Sequence, residues 1–507
     1  MITRKTNIFS LLLFTLALVV AGCANPARLP VENDQVNASP TSAPTMALIL
    51  TPTAITEPAV ITPTTAEPAE PTAKPENACS QVALGESSLM AIWDRKLAQH
   101  TLIPINPISG QPLCAYAPLP IGRNYFYTFS PDGKRLALVV SQREDGRDGE
   151  LQLIDLQNWQ VIPTSIKFDY WVSAMDFSPD WHALVVASAG PPSGKHGLPD
   201  GYRLVVIDLA NQSIQAETLL VFSPRLVQFT AGGASLVVYG GTVREVDLTN
   251  EDPHLVLLDS TSLAKDWETR LAGLADGQIW QDASDNPDSG IFWSPAIVFS
   301  PEKQAVFIVH ADANQLTTVD LALRTTSTVQ IRPATSWIER LLALTAGVAH
   351  AKGLNGAIKS AVLSADGNRL YVVGESGVTS QDSNGEWQFS REVLGLQVID
   401  AASGMEIARL ETESTDIALS NDGRLLFLRG WSDIAWTDVV DAGSLDLAAH
   451  LSGRYLISGR LLNGEAILLS NAQNGSSLTS LASLDPASLE EIKVWGVRDF
   501  AGWIVAP

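Results

Sequence analysis

The stretch FSPDGKRLALVV, residues 129–140, predicts a β-hairpin and recurs along the chain. Pro131 presets φ at the second position of a tight turn, Asp132 suits the third, and Gly133 takes the left-handed conformation that follows. An apolar strand comes next. Five variants lie 48 to 70 residues apart: FSPDWHALVVAS (177–188), FTAGGASLVVYG (229–240), FSPEKQAVFIVH (299–310), LSADGNRLYVVG (363–374) and LSNDGRLLFLRG (419–430). Self-similarity at this period is typical of a repeat architecture.

A second pattern follows each hairpin: an apolar strand ending in Asp or a substitute, a turn of three or four residues, and another strand. Two hairpins per unit give four antiparallel strands, the blade of an all-β propeller. Eight copies predict eight blades, and seven stays open because one weak copy could be a chance match. Clear copies start at Glu150, Tyr202, Pro253, Asn314 and Leu394, and weaker ones at Thr101, Trp436 and Ser477.

Both ends of the chain offer a strand that could close the ring. The first copy looks one strand short, and the apolar C-terminal stretch 501–507 is a spare strand after the last complete pair. It is predicted to enter the first blade as its inner strand, which would remove exposed sheet edges. The alternative is that Ser80 to Leu84 fills this position.

The hairpins with S-P-D-G and the turns with V-x-D-x-x-[ST]-G resemble the WD40-like propeller repeats of TolB-type and YVTN-type bacterial proteins. The resemblance covers roughly Cys79 to Pro507. It implies a propeller fold and says little about activity, because propellers host many unrelated functions.

The first 22 residues have the organisation of a signal peptide. Arg4 and Lys5 precede an apolar run from Ile8 to Val20. The following Val20-Ala21-Gly22-Cys23 resembles the bacterial lipobox, which implies cleavage before Cys23 and acylation of this residue. We therefore expect a lipoprotein anchored to a membrane on the extracytoplasmic face of a bacterial cell, with an uncleaved anchor as the alternative.

Residues 23–78, which begin with the lipidated Cys, are predicted to be a disordered tether before the propeller domain at 79–507. From Ala24 to Ala78 there are ten prolines and no aromatic residue, so this segment cannot bury enough apolar surface to fold. Cys79 and Cys114 are the two cysteines after Cys23, and an even pair in an exported chain predicts a disulfide. The alternative is two free, partly buried thiols.

The charge excludes one class of partner. The chain carries a formal charge of −22, and loss of the signal, with its two basic residues, makes it more negative. A nucleic acid would require a basic face, so no nucleic acid is expected, and contact with the membrane is expected only through the lipid.

Candidate binding residues lie in or beside long insertions. Propeller topology places the links between strands two and three, and those between blades, on one face, and all six long insertions are predicted there. They are Gln142–Gly149, Ala189–Gly201, Gly241–Asp252, Leu274–Phe292, Pro333–Ala357 and Glu375–Val393. The candidates for a ligand-binding face are Trp280, Asp282, Asp285, Trp293, Trp337, Asp382, Trp387 and Phe389.

Exposed Trp beside carboxylates suits a protein, peptide or glycan ligand. The alternative is that these rings pack their own loops. Trp337 to Ala349 has the apolar spacing of a short amphipathic helix.

The function predicted from these features is a tethered, non-catalytic binding module. The alternative is an extracytoplasmic hydrolase or lactonase with carboxylates at the central opening. Seven scattered His residues form no H-x-x-x-H or H-E-x-x-H pattern, so the sequence contains no zinc signature. No cofactor is predicted. Asp285 to Asp288 and Asp382 to Asn384 are compatible with Ca²⁺, although such acidic loops are usually only solvated.

Overall fold

The computed structural model describes residues 79–84, 87–193, 198–199, 201–243, 250–280, 290–332, 356–381, 387–420, 422–431, 435–453, 455–456, 467–470, 478–485 and 487–504. The regular elements within these ranges are β-strands. No helix among them is long and apolar enough to cross a membrane. The predicted signal peptide, the tether and the helix at 337–349 lie outside the described residues.

The first half of the ring consists of four antiparallel blades. Blade 1 contains β1 (Ser88–Asp94), β2 (Gln99–Ile105) and β3 (Leu119–Pro120). Blade 2 contains β4 (Asn124–Phe129), β5 (Arg135–Ser141), β6 (Gly149–Asp155) and β7 (Gln160–Phe168). Blade 3 contains β8 (Val172–Phe177), β9 (Ala183–Ala189), β12 (Tyr202–Asp208) and β13 (Ser213–Leu220), with a small hairpin of β10 (Pro192–Ser193) and β11 (Leu198–Pro199). Blade 4 contains β14 (Ser223–Phe229), β15 (Ser235–Val243), β16 (Asn250–Asp259) and β17 (Lys265–Arg270).

The second half repeats this plan after a hairpin of β18 (Gly277–Trp280) and β19 (Gly290–Ser294). Blade 5 contains β20 (Ala296–Ser300), β21 (Ala305–Val309), β22 (Gln315–Asp320) and β23 (Thr325–Gln330). Blade 6 contains β24 (Gly356–Leu363), β25 (Arg369–Gln381), β27 (Leu396–Asp400) and β28 (Glu406–Leu410), with β26 (Trp387–Val393) paired to β25. Blade 7 contains β29 (Asp416–Leu419), β30 (Leu425–Trp431), β31 (Ala435–Asp441) and β32 (Leu447–Ser452). Blade 8 contains β33 (Tyr455–Leu456), β34 (Ile467–Ser470), β35 (Leu478–Leu484) and β36 (Glu491–Arg498), and β37 (Phe500–Ile504) ends the described chain.

The blade count follows from the sheets and from the apolar clusters between them. Seven sheets have four strands, and an eighth set of four, β24-β25-β27-β28, belongs to a seven-stranded sheet. Eight buried clusters each combine residues of two consecutive blades. The last joins Leu481 of blade 8 to Met90 and Ile103 of blade 1. The described residues therefore form a closed ring of eight blades, as the repeat count predicted.

The C-terminal strand closes the ring. β37 pairs with β1 and completes the order β3-β2-β1-β37, so it takes the innermost position of blade 1. The prediction for the C-terminus is confirmed, and Ser80 to Leu84 does not fill this position. Ser80 instead forms an isolated bridge to Leu113.

A disulfide between Cys79 and Cys114 fastens the start of the domain. Cys114 lies in the connection between β2 and β3. The Cys114 amide donates to the Ser80 carbonyl at 3.0 Å, which holds the two segments side by side. Closing a loop of 35 residues stabilises the domain by about 4 kcal/mol in the chain-entropy model.

The repeated acidic residues hold the turns. Asp366 Oδ1 accepts hydrogen bonds from Ser364 Oγ at 2.5 Å and from the Asn368 amide at 3.0 Å. These bonds, the Ser364 one foremost, lower the pKa of Asp366 to about 2. Equivalent bonds form at Asp132, Asp180 and Asp422. The carboxylates of the repeat are therefore structural, and their recurrence reflects the fold.

Gly133 has the left-handed conformation that its turn requires, with φ of +66°, and an added Cβ would meet no atom within 4 Å. We expect Gly133→Ala to destabilise the protein by about 1–2 kcal/mol, the conformational cost for a residue with a Cβ. In the turn of blade 4, Gly232 occupies the position that Asp132 has in blade 2. A Cβ added at Gly232 would also meet no atom within 4 Å, and its φ lies outside the left-handed region. Gly232→Ala should stabilise the protein by about 0.5 kcal/mol, since it restricts the unfolded chain. Denaturant midpoints test both, and equal midpoints would contradict this account of the turn.

Candidate functional site

Each blade presents its turns on two opposite faces. Strand one of a blade starts on the face that carries the links between blades, and the turns between strands one and two, and three and four, lie on the other face. We call these the long-loop face and the short-turn face. Because all blades share this order, the insertions Leu274–Phe292 and Glu375–Val393 emerge on the same face, as predicted.

Four of the six insertions contain paired strands within the described residues. Leu274–Phe292 contains β18 and β19, and Glu375–Val393 contains the second half of β25 and β26. Gly241–Asp252 likewise lengthens β15 and β16, with Val243 opposite Asn250. Strand pairing satisfies the backbone groups that a long irregular loop would leave to water.

Two of these hairpins join one sheet. β19 pairs in parallel with the start of β24, so Phe292 lies opposite Gly356 and Ser294 opposite Ile358. β24 pairs with β25, and β25 with β26. The strands in the order β18-β19-β24-β25-β26 form five adjacent strands of one sheet on the long-loop face. We call this part of the sheet the extension sheet.

The register of the extension sheet determines which residues share a face. Phe292 and Ile358 lie on the same face, because alternate residues of paired strands point the same way. Ile358 is opposite Glu375, which is opposite Val393. Counting in twos along β26 assigns positions 387 and 389 to this face, and the pairing of β18 with β19 does the same for position 280. We call this side the aromatic face.

The aromatic face exposes large apolar side chains. Phe292 retains 47 % of its accessible surface and Ile358 retains 41 %. Closer to the short-turn face, the same side of the blade 6 sheet packs against blade 7 through Val362, Tyr371 and Val373. The aromatic face thus extends this packing surface toward the long-loop face, past the point where blade 7 covers it.

An ion pair borders the aromatic face. Arg391 donates to Glu375 across the β25–β26 hairpin. Both side chains are about one-third exposed, so the pair adds a polar edge beside the apolar residues, as is common at the rim of protein interfaces.

A buried polar network anchors the β18–β19 hairpin to blade 4. Asp276, just before β18, is buried and accepts hydrogen bonds from Arg225 and from the Tyr239 hydroxyl, the latter at 2.9 Å. Arg225 also donates to Ser294 Oγ at 2.9 Å. Burial raises the pKa of Asp276, and the neighbouring Arg225 and Tyr239 oppose that rise. Because these groups are bonded to one another, the network holds the hairpin in place.

A second buried group lies on the opposite side of the extension sheet. Lys359 points toward blade 5, where its Nζ donates to the Ala313 carbonyl at 3.3 Å. Burial lowers the pKa of Lys359 to about 8, although the negative charge of Asp312 raises it in part. His310 lies buried nearby, and its Nε2 is 2.7 Å from Thr317 Oγ1. This side of the sheet therefore belongs to the interface between blades 5 and 6.

The structure separates the predicted residues into three groups. The strand positions of Trp280, Trp387 and Phe389 lie on the aromatic face. Trp293, which was predicted with them, lies on the opposite side of the sheet and is partly buried. The remaining candidates lie outside the described residues: Asp282, Asp285, Trp337 and Asp382.

Phe292 and Ile358 were not among the site residues predicted from the sequence. Phe292 adjoins Trp293 in a strand-like run, and Ile358 begins a repeat strand, so each resembles an ordinary core position. Only the parallel pairing of β19 with β24 brings them together. Among the described residues, no group of three or more His, Cys, Asp or Glu side chains could hold a metal ion.

Comparisons with known proteins agree with the fold. No family model matches the chain, and no curated protein matches it. Among solved structures it is similar to dihydro-heme d1 dehydrogenase NirN in complex with DHE, with a TM-score of 0.50, 15% identity, and coverage of 85% of this chain and 77% of that one.

BamB from Moraxella catarrhalis gives a TM-score of 0.41 at 11% identity, over 74% of this chain and 88% of that one. The Cps50 (Swd1) β-propeller domain of Myceliophteria thermophila gives 0.37 at 13% identity, over 74% and 98%. At such identities the likeness to NirN shows the fold alone.

Removal of the Asp276 carboxylate should destabilise the protein more than removal of the phenol that it binds. We expect Asp276→Ala to cost about 3 kcal/mol, because Arg225 loses its buried partner. Tyr239→Phe should cost about 1 kcal/mol, the net value of a neutral hydrogen bond. Denaturant midpoints measure both, and an Asp276→Ala variant as stable as Tyr239→Phe would contradict the anchoring role.

Proposed function

We propose that this protein is a membrane-tethered, extracytoplasmic β-propeller that binds a partner protein through the aromatic face of its extension sheet. The exposure of Phe292 and Ile358 on one side of a paired sheet carries this proposal. Large apolar side chains in contiguous exposed positions are characteristic of interaction sites, and aromatic residues are enriched at the centres of such interfaces.

The construction of the surface supports binding. Its two hairpins come from insertions about 100 residues apart and are held by strand pairing and by the Asp276 network. A surface built on paired strands loses little conformational entropy when a partner docks. A protein ligand fits the apolar character of Phe292 and Ile358 better than a glycan, whose hydroxyl groups need several polar partners.

The compact unit 75–507, used as bait against extracytoplasmic extract of the source organism, tests the binding surface. We expect the double variant Phe292→Ser, Ile358→Ser to lose at least about ten-fold in affinity for the captured protein, since interface anchors contribute more than about 1 kcal/mol each. Both side chains are exposed, so the melting temperature should change little.

Leu323→Ser is the matched control, because Leu323 is 72 % exposed but lies on the short-turn face. It should leave partner binding unchanged. Equal affinity of the double variant and the unaltered domain would refute the site, and capture of a polysaccharide in place of a protein would refute the class of ligand.

The anchoring part of the proposal rests on Cys23 and the lipobox-like residues before it. We expect Cys23→Ala to move the protein from the membrane fraction to the aqueous fraction, because dual or triple acylation is what holds such proteins stably. Ser10→Ala, in the apolar run, is the control and should stay with the membrane. Fractionation and metabolic labelling with a fatty acid measure the outcome. A parent protein that takes up no fatty acid, or a Cys23→Ala variant that stays in the membrane fraction, would contradict anchoring through Cys23.

A further inference from the structure

The outer edge of β26 has no partner strand among the described residues. β26 is a strand of seven residues that pairs with β25 along one side only. β27 follows it along the same side of β25, and there the outer strand β28 covers the sheet. β28 ends with Leu410 opposite Leu396, and Arg409 donates to the Leu394 carbonyl at 3.3 Å. Before Leu394 the extension sheet therefore ends in an open strand edge within the described part of the chain.

This edge lacks the residues that commonly protect edge strands. Unpaired N–H and C=O groups are a template for another strand, and charged residues or proline at the edge usually prevent such pairing. The outer strand of blade 2, β7, contains Pro163 and Lys167, and the outer strand of blade 4, β17, has the charge-rich sequence KDWETR. Residues 387–390 of β26, WQFS, contain neither a charge nor a proline. The edge of β26 is therefore suited to pair with a further strand.

A second copy of the same strand fits this edge over its whole length. In a two-fold symmetric dimer, two identical edge strands pair antiparallel about an axis that passes beside one residue. Pairing of all seven residues places this axis at Ser390, the middle of β26. Position 391 then lies opposite position 389 of the second copy, and position 392 opposite position 388.

The charges of β26 favour this register. Its two charged residues are Arg391 and Glu392. An axis at 391 or at 392 would place one of them opposite its own copy, and like charges in directly opposite positions destabilise a sheet. With the axis at Ser390, Arg391 meets the Phe389 position, where a cation and an aromatic ring attract each other, and Glu392 meets the Gln388 position. The register with the most strand pairs is thus also one without like-charge pairs.

We propose that two copies of this protein dimerise through β26, whose edges pair antiparallel around Ser390 and join the two extension sheets into one. A two-fold axis perpendicular to the sheet keeps each side of it, so the aromatic faces of both copies lie on the same side of the joined sheet. This inference does not depend on what the aromatic face binds. A single strand pair is small compared with standard protein interfaces, so covalent trapping is the appropriate measurement.

Ser390→Cys in the purified full-length protein, oxidised mildly with copper phenanthroline, tests the register. We expect a disulfide-linked dimer on a non-reducing gel, because directly opposite strand residues have Cα atoms about 4.5–5.5 Å apart, within the range of disulfides. Glu392→Cys is the matched control: it lies on the same side of β26, but its two copies would be about 13 Å apart along the strands. It should not cross-link alone, and it should cross-link in a mixture with Gln388→Cys. The unaltered protein controls for cross-links through Cys23.

A charge exchange tests the same contact without a cross-link. Gln388→Glu places a carboxylate opposite Glu392 of the second copy, twice by symmetry, and should weaken self-association by about ten-fold. Adding Glu392→Lys should restore it, and sedimentation equilibrium measures both. Positions 388 and 392 lie on the side of β26 opposite the aromatic face, so binding of a partner at Phe292 and Ile358 is tested separately.

The inference is overturned if Ser390→Cys forms no cross-linked dimer, or if Glu392→Cys alone cross-links as readily. It is also overturned if Glu392→Lys fails to restore the association lost in Gln388→Glu. An edge that instead captures a strand of another protein would leave Ser390→Cys without a self-cross-link and would give the first of these results.

Discussion

Pairing of β37 with β1 is the interaction on which the rest of this structure depends. Blade 1 receives three strands from the start of the domain and its innermost strand from the end, so neither terminus can leave without opening the ring. The apolar cluster between blades 8 and 1 forms only when that ring is closed. Closure therefore gives blade 1 the same four strands as the other blades, and the strand order that all blades share places every turn and insertion on its face.

Within that frame, the chain uses its many acidic residues mainly for folding. Asp residues recur at the turns of both hairpins of a blade, where they accept backbone and hydroxyl hydrogen bonds. Desolvation raises the pKa of Asp132 and of Asp155, but these hydrogen bonds and nearby cations more than offset it, so both carboxyls have a pKa below the usual range. At Asp208 the bond from the Asn211 amide is the main cause of the lowered pKa. The strongly negative composition thus reflects the turn chemistry of a repeat as well as solubility, and it identifies no ligand by itself.

The chain departs from the repeat in two opposite ways. On the long-loop face, added residues build the extension sheet and expose Phe292 and Ile358. On the short-turn face, the turn of blade 4 has Gly232 and Ala234 where blade 2 has Asp132 and Lys134. A propeller tolerates both changes because each blade retains its four strands and its contacts with two neighbours.

The sequence by itself determined the all-β class, the turn chemistry and a repeat count of seven or eight blades, because these depend on local patterns of alternation and on residues with special φ preferences. It also predicted the Cys79–Cys114 pair, and the structure decided between the alternatives that were open for the pair and for the blade count. The turns at Trp181 and Gly232, which differ from the S-P-D-G pattern, can also be recognised from the sequence alone. The tertiary structure decided which insertions meet. The parallel pairing of β19 with β24 joins residues more than 60 positions apart, and no local pattern encodes it. Since strand residues alternate between faces, Phe292 and Trp293 point to opposite sides of their strand, and only this pairing decides that Ile358 shares the side of Phe292.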